Sequence, residues 1–182
     1  RCAQWAAESG ADCVETNFSC PNVSTADGQL YQVPADAAVV AQRVREAVGR
    51  TPYVIKIGHM PEADRARELL QAVAPHINGI AMTNSVATTV RMPDGEMLFD
   101  GLPRGICGKA TREASLEQTR LFANLIREEE MGVSLVGVGG ASTVNDVAAY
   151  LEAGAEAVHI ATAAMVNPLT AQQIRRDWDR AE

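Results

Sequence analysis

The sequence predicts an α/β fold built on a parallel sheet, and three observations predict it. Short β-rich runs alternate with helical patterns roughly every 25 to 30 residues, the rhythm of βα units. The helical patterns carry one apolar face, and each β-rich run ends in polar or glycine-rich residues.

In chain order, residues 1–9 predict a helix closed by Gly10, and 12–19 the first strand. Helix 35–48, capped by Gly49, leads to a strand at 53–58. In helix 62–74, Ala66, Leu69, Leu70 and Val73 fall at i, i+3, i+4 and i+7 and form one apolar stripe. A third strand spans 79–84. The irregular stretch 86–109 contains a hairpin pattern over 88–99 turning at Pro93, Asp94 and Gly95. Long insertions of this kind after a strand are usually functional. Helix 115–130 is expected to close at Gly132, before a strand at 134–138. Helix 142–153 places Val144, Val147, Ala148 and Leu151 on one face, opens on a capping-box pattern from Thr143 to Asp146 and closes at Gly154. The fifth strand is 157–160.

Composition narrows the function. The 182 residues are 47% hydrophobic and 4% aromatic, and 16 Lys and Arg stand against 23 Asp and Glu for a net charge of −7. This excludes a disordered tail, and scattered acidity argues against a nucleic-acid partner, which demands a basic stripe. No apolar run approaches the roughly 18 residues of a membrane span. Cys2, Cys13, Cys20 and Cys107 are irregularly spaced, as reduced thiols would be, so a soluble, cytoplasmic setting is expected. The chain opens on Arg1 within a helical pattern and is expected to be the later part of a longer protein.

Function is expected at the carboxyl ends of the strands, where parallel sheets build their sites. Strand parity sets Lys56 on one face with Val54, opposite Ile55 and Ile57; it is either a ligand-facing cation or a lysine reaching solvent from a frayed strand end. The densest polar cluster is Asn17-Phe18-Ser19-Cys20-Pro21-Asn22. Its cysteine could be a nucleophile, a metal ligand, a proton acceptor or a small apolar group in a turn. No Cys or His spacing accompanies it that would suit a metal, so none is expected. Gly137-Val138-Gly139-Gly140, between strand and helix, and Ala161-Thr162-Ala163, after the last strand, are two loops able to offer backbone N–H groups to a phosphate, or else two tight turns.

From Asp12 to Pro168 these motifs, together with Thr83-Asn84-Ser85 and Gly105-Ile106-Cys107-Gly108-Lys109, resemble the dihydroorotate dehydrogenases, in particular the soluble, cysteine-bearing class 1. The resemblance implies a (β/α)8 barrel holding FMN at its carboxyl face and oxidising dihydroorotate to orotate. It implies that Cys20 is the catalytic base and that Asn17, Asn22, Asn84 and Ser85 grip the substrate. It also implies that Asn17, Lys56, Thr83 and Gly108 contact the flavin, and that Gly139, Gly140, Ala161 and Thr162 cradle its phosphate. A homodimer is implied, and an iron–sulfur and flavin electron-transfer subunit is a possible partner. Ala161 stands where many members have glycine, and the loop at 23–31 departs from the family pattern.

On this resemblance residues 1–182 form a single barrel domain truncated at its N-terminus, with five of eight βα units. Alone it is expected to lack part of the flavin site, and to be inactive and poorly stable. Two alternatives stand beside this reading. One is a dihydropyrimidine dehydrogenase, which also carries an Asn-x-Ser-Cys-Pro motif. The other is a non-catalytic FMN- or phosphate-binding barrel fragment, although such a module has no use for Cys20, Lys56, Asn84 and Ser85.

Overall fold

The computed structural model describes residues 1–20 and 29–180. Helix α1 (Cys2–Glu8) leads into β1 (Val14–Asn17), and α2 (Pro34–Val48) follows a short 3-10 turn at Leu30–Gln32. Next come β2 (Tyr53–Lys56), α3 (Ala63–Val73) and β3 (Gly79–Met82). A two-stranded ribbon, β4 (Val86–Thr88) and β5 (Arg104–Ile106), precedes α4 (Arg112–Glu128). The chain ends in β6 (Ser134–Val138), α5 (Val144–Glu152), β7 (Ala157–His159), α6 (Thr162–Val166) and α7 (Thr170–Trp178).

Five strands form one parallel sheet in the order β1-β2-β3-β6-β7, as the alternating pattern predicts. Alternation along each strand sorts the side chains onto two faces. Tyr53, Ile55, Ile80, Met82 and Leu135 are buried on one face among Ala41, Leu69, Leu70, Phe122 and Tyr150 of the helices. The other face carries Glu15, Asn17 and His159, which are exposed, and Val54, Lys56, Val136 and Val138, which are half-buried.

That second face is concave. Glu15 and His159 lie on the two outermost strands, which four spacings of about 4.8 Å would hold roughly 19 Å apart in a flat sheet. Instead His159 Nδ1 stands 3.8 Å from Glu15 Oε2. The sheet therefore curls as the wall of a (β/α) barrel does, with the helices outside.

Two local expectations are corrected. The ribbon turns where expected, with the Gly95 N–H on Met92 O at 2.9 Å, but it is longer than 88–99: Val86 pairs with Ile106 and Thr88 with Arg104. The close of α4 also differs, because Gly132 is not its cap. Met131 N–H bonds Ile126 O at 2.9 Å and Glu130 N–H bonds Arg127 O at 3.3 Å, a Schellman closure that puts Glu130, at φ 51°, in the left-handed position. The same closure falls on glycine after α1 and α5, where Gly10 and Gly154 take φ 85° and 103°. Met131, packed against the core, fixes where α4 must turn.

Glu130 therefore sits where a side chain is strained and glycine is not. Glu130→Gly should stabilise the protein by about 1 kcal/mol in urea unfolding. An equal or lower midpoint would show that the left-handed turn costs nothing there.

Candidate cofactor and active site

The loop after β6 is shaped by an absent side chain. A Cβ on Gly137 would stand 2.3 Å from the Tyr150 ring, so α5 seats its fully buried tyrosine directly on the strand. From there Tyr150 donates its hydroxyl to Gly139 O at 2.6 Å and fixes the course of the loop. Gly139 and Gly140 follow at φ 143° and 68°. A Cβ on Gly140 would come within 2.8 Å of Gly108 O and Lys109 Cα, and one on Gly108 within 3.0 Å of Thr162 Cγ2. Three loops, after β5, β6 and β7, thus meet nearly backbone to backbone.

They enclose a cavity of about 420 Å³. Of the residues singled out from the sequence, it gathers Thr83, Asn84, Gly108, Gly139, Gly140, Ala161 and Thr162. Cys107 and His159 also line it. Neither was singled out, although Cys107 lies inside the 105–109 motif, and strand parity puts His159 on the concave face with Lys56. Thr83 is 2% exposed and its hydroxyl has no hydrogen-bond partner among the described residues.

The start of α5 is already occupied by the protein itself. The buried Asp146 carboxylate accepts from the Ser142 and Thr143 N–H groups, both at 3.0 Å, from the Ser142 hydroxyl and from Arg112. Thr143 Oγ1 accepts the Asp146 N–H in return, the capping box predicted from sequence. Burial pushes the Asp146 acid up, but these donors outweigh it and hold it down at about 2. The N–H groups of Ser142, Thr143 and Asp146 are therefore already taken, while the Gly139–Gly140 loop and the Ala161–Thr162 turn line the cavity.

On the other side of β3 lies a second cavity of about 480 Å³, lined by Ser19, Tyr31, His59, Asn84 and Ser85 among others. Asn84 lines both cavities. Asn17 Oδ1 accepts from Ser19 N at 3.0 Å and Ser19 Oγ at 2.7 Å, which pins the turn that presents half-buried Cys20 and leaves the Asn17 amide donors for another partner. Gln29 donates to Ser19 O at 3.1 Å, tying the far end of that turn. Asn17 pairs in register with Lys56 on the concave face; neither lines either of these two cavities, nor does Cys20. Lys56 is half-buried and has no carboxylate partner among the described residues. Asn22, and the part of the divergent loop at 23–28, lie outside the described residues.

A curled parallel sheet of βα units, with its loops gathered around a cavity at the carboxyl edge, defines part of a (β/α) barrel. The Dihydroorotate dehydrogenase family model matches residues 2–180, and the chain belongs to that family. It is 29% identical over 174 residues to Dihydroorotate dehydrogenase of Dictyostelium discoideum, covering 92% of this chain and 47% of that protein. It is 30% identical over 166 residues to the catalytic subunit of Dihydroorotate dehydrogenase B (NAD(+)) of Exiguobacterium sibiricum, covering 90% and 51%. The chain thus spans about half the length of these relatives. Its fold matches the crystal structure of DHODH from Eimeria tenella in complex with ferulenol at a TM-score of 0.77, with 17% identity, over 97% of this chain and 52% of that one.

Asp146 gives the site a pH signature. Because its acid is held below the ordinary carboxylate range, its contribution to stability is full above about pH 4 and is lost as pH falls through about 2. Asp146→Asn should cost about 1 to 2 kcal/mol at pH 7, solvent around half-exposed Arg112 screening part of the interaction. The gap between variant and parent in urea unfolding should narrow below pH 4; a pH-independent gap would contradict the assignment.

Proposed function

We propose that the protein of which this chain forms the described part oxidises dihydroorotate to orotate with FMN, in pyrimidine biosynthesis. The observation that carries this reading is Asn84, a single carboxamide walling both the anion-cradling cavity and the second cavity beside the Cys20 turn. A cofactor and a small planar substrate held on its two sides would lie in contact.

The residues present fit FMN. Gly139, Gly140, Ala161 and Thr162 offer the phosphate a backbone cradle, and side chains at the two glycines would strike Ser115 and Gly108 and force the loops apart. Thr83 and Gly108 line the same space. FMN bound there would supply the two-electron oxidant that accepts hydride from C6 of dihydroorotate.

The chain's own groups do the rest. Cys20 Sγ takes the proton from C5 of the substrate; a thiol, with an ordinary pKa near 8.5, reaches its basic form far more readily at neutral pH than a serine hydroxyl. Asn17, its carbonyl oxygen held by Ser19, turns amide donors toward substrate and flavin, and Asn22, Asn84 and Ser85 complete the grip on the substrate. Lys56 places an unpaired cation where negative charge on the ring system would collect. Because several relatives are named as catalytic subunits, the proposal includes an electron-transferring partner subunit; it also includes a homodimer and a cytoplasmic setting.

Full-length protein loaded with FMN should lose its visible flavin absorbance anaerobically on adding dihydroorotate and stay coloured with dihydrouracil; the reverse preference would replace this substrate with a pyrimidine base. Cys20→Ser should slow that bleaching by about 100-fold or more at pH 7, within the range of a lost general base, and recover as pH rises. Bleaching at the parent rate at pH 7 removes Cys20 from the role.

A further inference from the structure

We propose that Cys107 is a modification site inside the cofactor cavity, where addition of a soft, uncharged electrophile to its thiol and binding of FMN exclude one another. The proposal rests on the cofactor reading above and adds to it a thiol that the reaction does not use.

Cys107 is exposed and lines the 420 Å³ cavity between the loops after β5, β6 and β7. Thr162 Oγ1 donates to its sulfur at 3.8 Å, which holds the thiol against the turn assigned to the phosphate. Thr83, 2% exposed, stands in the same cavity wall, and its hydroxyl has no hydrogen-bond partner among the described residues.

The packing around Cys107 decides where an added group must go. Beside it, a Cβ on Gly108 would already press on Thr162 at 3.0 Å, and Gly108 O closes on Gly140, where a Cβ would lie 2.8 Å away. Backbone that is packed to this tolerance does not yield, so a group carried on Sγ projects into the cavity. The chemistry needs no oxidant. The Cys107 thiolate adds to the alkene carbon of a maleimide, a carbon–sulfur bond forms as the carbon–carbon π bond breaks, and the displaced electron pair takes a proton from water at the neighbouring carbon.

The other cysteines serve as internal controls. Cys2 is exposed on α1, away from both cavities. Burial and the Glu15 carboxylate raise the Cys13 thiol, so Cys13 should label slowly whatever the cavity holds. Cys20 is removed from the comparison by working in a Cys20→Ser background.

The test is N-ethylmaleimide labelling of the full-length protein, followed cysteine by cysteine by peptide mass spectrometry, with and without FMN at about ten times its Kd. Labelling of Cys107 should slow by about tenfold, the factor expected if only the cofactor-free form reacts, and labelling of Cys2 by less than about twofold. Protein labelled at Cys107 should lose FMN uptake, whereas Cys107→Ser or Cys107→Ala treated with the same reagent should keep it. Equal Cys107 labelling with and without bound FMN, or FMN uptake by labelled protein with the parent's Kd, overturns the proposal. If untreated parent protein takes up no FMN, the cofactor reading itself fails and this proposal falls with it.

Discussion

Glu15 and His159 stand on the first and last strands of a five-stranded sheet, yet their side chains come within 3.8 Å. That approach is possible only because the sheet curls, and the rest of the site depends on the curl. Helices pack on the convex face, where Ile55, Ile80, Met82 and Leu135 are buried. The carboxyl ends of the strands consequently converge, instead of running side by side along an edge. A flat sheet would set the Cys20 turn after β1 and the Thr162 turn after β7 too far apart to serve one ligand pair.

Convergence alone does not make a cradle. The loops after β5, β6 and β7 close on one another because Gly108, Gly139 and Gly140 lack side chains, and Tyr150 fixes the middle loop from behind through Gly137. The first turn of α5, which could otherwise have bound an anion, is neutralised by Asp146 and stiffened by Arg112. The proposed phosphate cradle is the glycine loop and the Ala161–Thr162 turn, which line the cavity together. On the substrate side the Cys20 turn is held by the hydrogen bonds of Asn17, Ser19 and Gln29 and by Phe18, which is buried in the core.

Much of this is legible in the sequence because it is periodic or local. The stripe of Ala66, Leu69, Leu70 and Val73, all fully buried, and the Thr143–Asp146 box follow from spacing within a single helix. Strand parity placed Lys56 opposite Ile55 for the same reason. What resists such reading is non-local or conformational. Glu130 takes a left-handed turn because tertiary packing of Met131 dictates where α4 stops, and no composition signal marks a glutamate for that place. The pairing of β4 with β5 spans the whole insertion, so the pattern within 88–99 marks the turn and the inner arms, where Arg91 pairs with Met97, but not the outer strands. Cys107 and His159 enter the cavity only through contacts with loops distant in the chain, and Asn84 becomes the shared wall only once two cavities form around it.

The central claim is that one curled edge holds phosphate and reacting ring on either side of Asn84. A crystal structure of the full-length protein with FMN tests it most directly. The account predicts the phosphate within hydrogen-bond distance of the N–H groups of the Gly139–Gly140 loop and the Ala161–Thr162 turn, the Thr83 hydroxyl bonded to the cofactor, and the ring system passing Asn84 toward Cys20. A phosphate seated elsewhere, or a flavin lying outside this cavity, would contradict it.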